Sequence, residues 1–133
     1  SLRKLSRELG LDECMTFVSD FSSYDEVMNA LDIVVQTALV DVSGFSMLVP
    51  MGYGRPVIAF NTGTACEIIE DGKTGVLVPK DEVDGLVEAI VELAGDPEKA
   101  RTVGNAARDS VETKFNIKSV ADATLKFYGS LLG

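Results

Sequence analysis

The chain has 133 residues, with 12 Lys and Arg against 21 Asp and Glu, a formal charge of −9, and no histidine. Lacking histidine, it has neither the usual general base near neutral pH nor the usual metal ligand, so serine-protease triads and zinc-hydrolase sites are excluded. Its 46% hydrophobic and 25% charged residues are ordinary globular usage, read as one soluble domain over residues 1–133 whose acidic surface makes nucleic acid a poor partner.

Leu2, Leu5 and Leu9 lie at helical spacing on one face, and Gly10 is placed to end that helix in the left-handed conformation. Met15–Val18 reads as a short buried strand. Ser22 and Ser23 are candidate caps for a helix carrying Val27, Met28 and Leu31, and Ile33–Gln36 reads as a second buried strand. After Asp41, Val42, Ser43 and Gly44, an apolar helix runs through Met51 and closes at Gly52 or Gly54. Pro50 lacks an N–H, so this helix is expected to start late, near Ser46, or to bend.

Pro56–Phe60 reads as a third strand, followed by the turn-rich Asn61–Thr64 and a short helix over Cys66–Ile69. Asp71–Gly75 is a tight reversal into a fourth strand, Val76–Val78, which Pro79 ends. Val83, Leu86, Ile90 and Leu93 mark a helix, Asp96-Pro97 caps and starts another, and residues 118–132 form the last. Strands alternating with helices predict an α/β fold with a parallel sheet.

The longest apolar runs fall far short of the roughly 20 residues of a membrane span. No charged-then-apolar leader opens the chain, so the default compartment is the cytoplasm. Two cysteines, Cys14 and Cys66, read as reduced thiols, and no metal-ligand set or cofactor motif is present. Between Arg7 and Arg55 no Lys or Arg occurs, while that interval carries Glu8, Asp12, Glu13, Asp20, Asp25, Glu26, Asp32 and Asp41.

Several motifs fall in order along the chain: Leu9-Gly10-Leu11 before Phe17, Ala30-Leu31-Asp32, Met51 with Gly54-Arg55-Pro56-Val57-Ile58-Ala59, Glu67-Ile68-Ile69 with Asp71-Gly72, Thr74-Gly75 and Leu77-Val78, and Lys114-Phe115. The ordered set resembles the C-terminal domain of the group 1 (family 4) glycosyltransferases, whose GT-B architecture faces two Rossmann-like domains. That likeness implies a Rossmann-like parallel sheet with flanking helices. It also implies that strands one and two of a six-stranded 3-2-1-4-5-6 sheet are absent, so the chain is an incomplete GT-B C-terminal domain. The gap is expected to close by rearrangement or by another chain, most simply a strand-exchanged homodimer.

The family's donor signature is a glutamate, seven residues, and a second glutamate. Counting back from Met51 places these at Asp41 and Val49, with Gly44 on the family's glycine. Asp41 keeps a carboxylate one methylene shorter, whereas Val49 cannot accept a hydrogen bond from ribose and reads as core. The resemblance implies a nucleoside diphosphate sugar held by Asp41, Ser43, Gly44 and Phe45, and by the Thr62, Gly63, Thr64 and Glu67 loop. Each position also has a plain reading: Gly44 as an ordinary cap, Asp41 as a helix-flanking carboxylate, and Thr62–Thr64 as a strand-to-helix turn.

The resulting expectation is the donor-nucleotide half of an enzyme that transfers a hexose from a nucleoside diphosphate sugar. No catalytic residue, metal or cofactor is assigned to the chain itself. The family's phosphate-binding cations lie upstream of Ser1, so weak donor binding and no activity are expected of this chain alone. The rival expectation is a catalytically silent structural or regulatory module of the same fold.

Overall fold

The computed structural model describes residues 1–20, 23–40 and 43–132. Asp41 and the expected cap Ser22 lie outside the described residues. In chain order the elements are α1 (Leu2–Glu8), α2 (Tyr24–Ala30), β1 (Val34–Gln36), α3 (Phe45–Gly52), β2 (Val57–Phe60) and α4 (Gly63–Ile68). There follow β3 (Val76–Val78), α5 (Val83–Gly95), α6 (Pro97–Lys114) and α7 (Ile117–Leu131).

The three strands are parallel in the order β1-β2-β3, with Val34 opposite Val57 and Ile58 opposite Val76. β2 is buried along its whole length, and its period-two alternation feeds two layers. Val57 and Ala59 pack with Met47, Met51, Ala65, Ile68, Ile69 and Ala107 from α3, α4 and α6. Ile58 and Phe60 face the other way, onto Leu86, Ala89 and Leu93 of α5. A central strand apolar on both faces is what a sheet sandwiched between helices requires.

Met15–Val18 forms no strand. Met15 is 46% and Val18 64% exposed, and the segment folds back so that the Arg3 guanidinium lies 4.8 Å from the Phe17 ring centroid. A strand is held by its neighbour's hydrogen bonds, and residues 15–18 pair with none of the three strands here. Gly10 does adopt φ +66° and closes α1, with the Leu11 amide donating to the Ser6 carbonyl at 2.9 Å. The leucine stripe itself is exposed, and the side buried in α1 is Ser6.

α3 begins at Phe45, one residue before the expected Ser46, and Pro50 sits in its second turn. The Pro50 ring is fully buried, and its carbonyl accepts from the Arg55 amide at 2.9 Å. Val49, expected in the core, is only half-buried and belongs to neither core cluster. The Asp71–Gly75 reversal is a docking knot. The Thr74 hydroxyl accepts from the Glu70 amide at 2.8 Å, and the Asp71 carboxylate accepts from the Leu77 amide at 2.8 Å.

α4 starts at Gly63, so Thr62 is its cap and Gly63 and Thr64 are its first two residues rather than a preceding loop. Asp96 caps α6 as its sequence predicts, its carboxylate accepting from the Lys99 amide at 3.0 Å. α7 begins at Ile117 behind the Asn116 cap, whose side-chain Oδ1 accepts from the Ser119 amide at 2.9 Å.

Candidate functional site

In a parallel sheet all strands end at the same edge, and ligands of open α/β sheets sit there. β1 runs out at Gln36, whose side-chain oxygen accepts from the Ala38 amide at 3.0 Å, and the chain returns into α3 at Gly44. β2 runs out at Phe60 and passes through Asn61 and Thr62 directly into α4. Two helix starts therefore lie side by side above two adjacent strand ends.

Gly44 lies close against α4. It is the N-cap of α3 in the left-handed conformation, φ +68°, which favours glycine. A Cβ at this position would meet Thr64 Cγ2 of α4 at 3.2 Å and would collide with Ile68 Cδ1. Both Met47 and Leu48 amides turn back to the Gly44 carbonyl, at 3.0 and 2.9 Å, so the first turn is well formed. A helix N-terminus carries a partial positive charge suited to an anion.

The sequence-picked residues divide by position. Ser43 and Phe45 flank the glycine, both exposed, with Phe45 at 67%. Thr62 and Thr64 are half-buried, and Gly63 and Glu67 are exposed on α4. The structure thus brings Ser43, Gly44, Phe45, Thr62, Gly63, Thr64 and Glu67 to one edge of the sheet.

Two neighbours were missed. Asn61 anchors the β2–α4 turn, its amide donating to the Val78 carbonyl at 2.7 Å and its side-chain oxygen accepting from the Cys66 thiol at 2.5 Å. Lys80 follows β3 at the same edge. Both sit immediately after strands, and that position was their only signal. Thr74 and Gly75 belong to the opposite edge: a Cβ on Gly75 would stand 2.8 Å from the Val57 carbonyl oxygen, so close packing accounts for that glycine.

One cavity lies away from this edge. It has a volume of about 490 Å³ and opens at the amino ends of β1 and β2, beside the α5–α6 corner. The strand-end geometry, rather than cavity size, marks the candidate site, because a shallow ledge of backbone amides suffices for a phosphate.

Residues 1–110 match the family model described as glycosyl transferases group 1. Alpha-maltose-1-phosphate synthase of Mycolicibacterium smegmatis is 31% identical over 109 residues, covering 77% of this chain and 28% of that protein. Among solved structures, HepE of Anabaena in complex with UDP superposes with a TM-score of 0.90 at 25% identity, covering 97% of this chain and 36% of HepE. The C-terminal domain of a group 1 glycosyl transferase (LpcC) of Francisella tularensis superposes at 0.77 with 28% identity, covering 87% of this chain and 61% of that one. The chain spans about a third of the length of HepE and less of the synthase. It belongs to the group 1 glycosyl transferases.

Proposed function

We propose that this chain is the donor-nucleotide half of a longer, cytoplasmic glycosyltransferase that moves a hexose from a nucleoside diphosphate sugar. The diphosphate lies at the positive N-terminal end of α3 beside Gly44, and the sugar points toward Thr62, Gly63, Thr64 and Glu67 at the start of α4. The observation that carries this reading is the contact of the two helix starts at Gly44 and Thr64 above adjacent parallel strand ends. The UDP found in HepE, whose fold this chain shares, supports the same ligand class.

Affinity in the isolated chain is expected to be weak. An exposed helix start contributes about 0.3–1 kcal/mol toward an anion, and the long acidic interval before Arg55 opposes it. Val49, half-buried on α3, offers ribose no acceptor, and hydroxyls left unpaired cost about 1–3 kcal/mol. That aliphatic side chain is also what favours the second reading, a silent module that keeps the fold without the ligand.

Calorimetric titration with UDP-, GDP- and ADP-sugars separates the two. The donor reading expects a dissociation constant of about a millimolar, or roughly −4 kcal/mol, for one of them. Ser43→Asp should weaken it about fivefold, since a carboxylate about 4 Å from a phosphate costs on the order of 1 kcal/mol even in water. The same carboxylate interacts favourably with the α3 dipole. No heat with any donor up to about ten times that concentration would leave the silent module standing.

A further inference from the structure

The 15 residues of α7 include none that is buried. Its large apolar side chains stand open instead, with Ile117 84%, Phe127 60% and Leu131 66% exposed. The joint that aims the helix is nonetheless firm. Phe115 packs against the core, the Asn116 side-chain amide donates to the Glu112 carbonyl at 2.7 Å, and the Ser119 hydroxyl donates to the Thr113 carbonyl at 3.1 Å. Most of a helix's stability comes from packing its apolar face, so a stripe held off its own body marks an interaction surface.

Ile117, Val120, Thr124, Phe127 and Leu131 follow one another at spacings of three, four, three and four, the pattern of a seam between two helices packed side by side. The Thr124 hydroxyl already donates to the Val120 carbonyl at 2.8 Å, so it brings no unmet donor to that seam. Ala121, Ala123, Tyr128 and Ser130 border the seam and none is charged, whereas Lys118, Asp122 and Lys126 fall on the other side of the helix. The helix is also charged against its own dipole. Its first turn has no acid and holds Lys118, and its last turn has no base, the reverse of what a helix macrodipole favours. An antiparallel neighbour corrects this, because Lys118 of each helix then lies alongside the negative last turn of the other.

We propose that α7 is a self-association surface that pairs antiparallel with α7 of a second copy about a two-fold axis at Thr124. Ile117 meets Leu131 of the second copy, and Phe127 lies over Ala121 of the second copy, large against small. The same patch serves both copies, so the assembly closes at a dimer. Each chain carries a formal charge of −9, but the uncharged borders let the helices pair without like charges in contact along the seam. A membrane surface fits less well, since interfacial helices have a polar face rich in Lys and Arg and this one sets Asp122 between Lys118 and Lys126. The surface is independent of the donor reading.

Sedimentation equilibrium of the 133-residue chain reads the mass directly, and half of it should be dimer at about 100 µM. Leu131→Asp puts a charge into the apolar seam and should weaken association at least about tenfold. Because α7 has no buried residue, that variant keeps its fold, which circular dichroism checks. In a Cys14→Ser, Cys66→Ser background, Thr124→Cys should form a disulfide between copies under mild oxidation, whereas Asp122→Cys, on the far side of the helix, should not. A chain still monomeric at about a millimolar would overturn the proposal and leave the stripe to another segment of a longer chain or to a lipid surface. A dimer that Leu131→Asp leaves intact, or equal cross-linking through Asp122→Cys and Thr124→Cys, would overturn it as well.

Discussion

Gly104 has no room for a methyl group. It lies within α6 where that helix crosses the turn between α3 and β2, and a Cβ there would stand 3.0 Å from the Gly54 carbonyl carbon and 3.4 Å from Pro56 Cδ, and would collide with the Gly54 oxygen. The obstacle is backbone, which cannot rotate aside. Forcing atoms into a packed contact costs about 1–3 kcal/mol, so Gly104→Ala should lower the urea midpoint by that equivalent although alanine is the better helix former by about 1 kcal/mol. An unchanged or raised midpoint would show that α6 can shift off the turn. Gly44 and Gly104 differ in how readable they were. Gly44 stands between an expected strand and an expected helix, where a cap is a local requirement, so its place as a cap could be read from the chain although its left-handed conformation could not. Gly104 sits in an ordinary helical run, and the reason for it lies 50 positions away in Gly54. Val49 failed for a similar cause: its aliphatic side chain read as core, but the side of α3 that packs on β2 is the one carrying Met47 and Met51.

At the scale of elements, α2 is strapped to the end of α3. The Tyr53 hydroxyl donates to Asp25, and Arg55 reaches back to Asn29. The Tyr53 phenol is pushed above its ordinary value of 10.0, first by that hydrogen bond to the Asp25 carboxylate, then by desolvation, then by the charge of Asp25. The folded state thus holds the phenolic proton more tightly than the unfolded chain. The contact's stabilisation is full below the ordinary phenol range and is lost as pH rises through the folded value. Asp25→Asn should move the Tyr53 ionisation to lower pH, read by ultraviolet titration of phenolate with Tyr24 and Tyr128 replaced by Phe. An ionisation that does not move would place Tyr53 away from Asp25. The elements that were legible are those whose signals are local: the Asp96-Pro97 start of α6 and the apolar run of β2. Met15–Val18 has the composition of a strand, yet pairing is a property of two segments, and its partner is not among the three strands present.

For the whole molecule, parallel order makes the two edges of the sheet unlike. The carboxyl edge gathers the starts of α3 and α4, and the amino edge gathers Asp32, Arg55 and the α5–α6 corner. The fold was readable because strand and helix alternation admits few parallel arrangements. The donor edge was readable as a set of positions, whereas the close approach of Thr64 and Ile68 to Gly44 depends on how α4 packs against α3. The most direct test maps binding residue by residue, by following backbone amide resonances of the 133-residue chain as a UDP-sugar is added to about ten times a millimolar dissociation constant. The account predicts saturable shifts confined to Ser43–Met47 and Thr62–Ala65. Shifts confined to the Asp32 and Arg55 edge, or none at all, would contradict it.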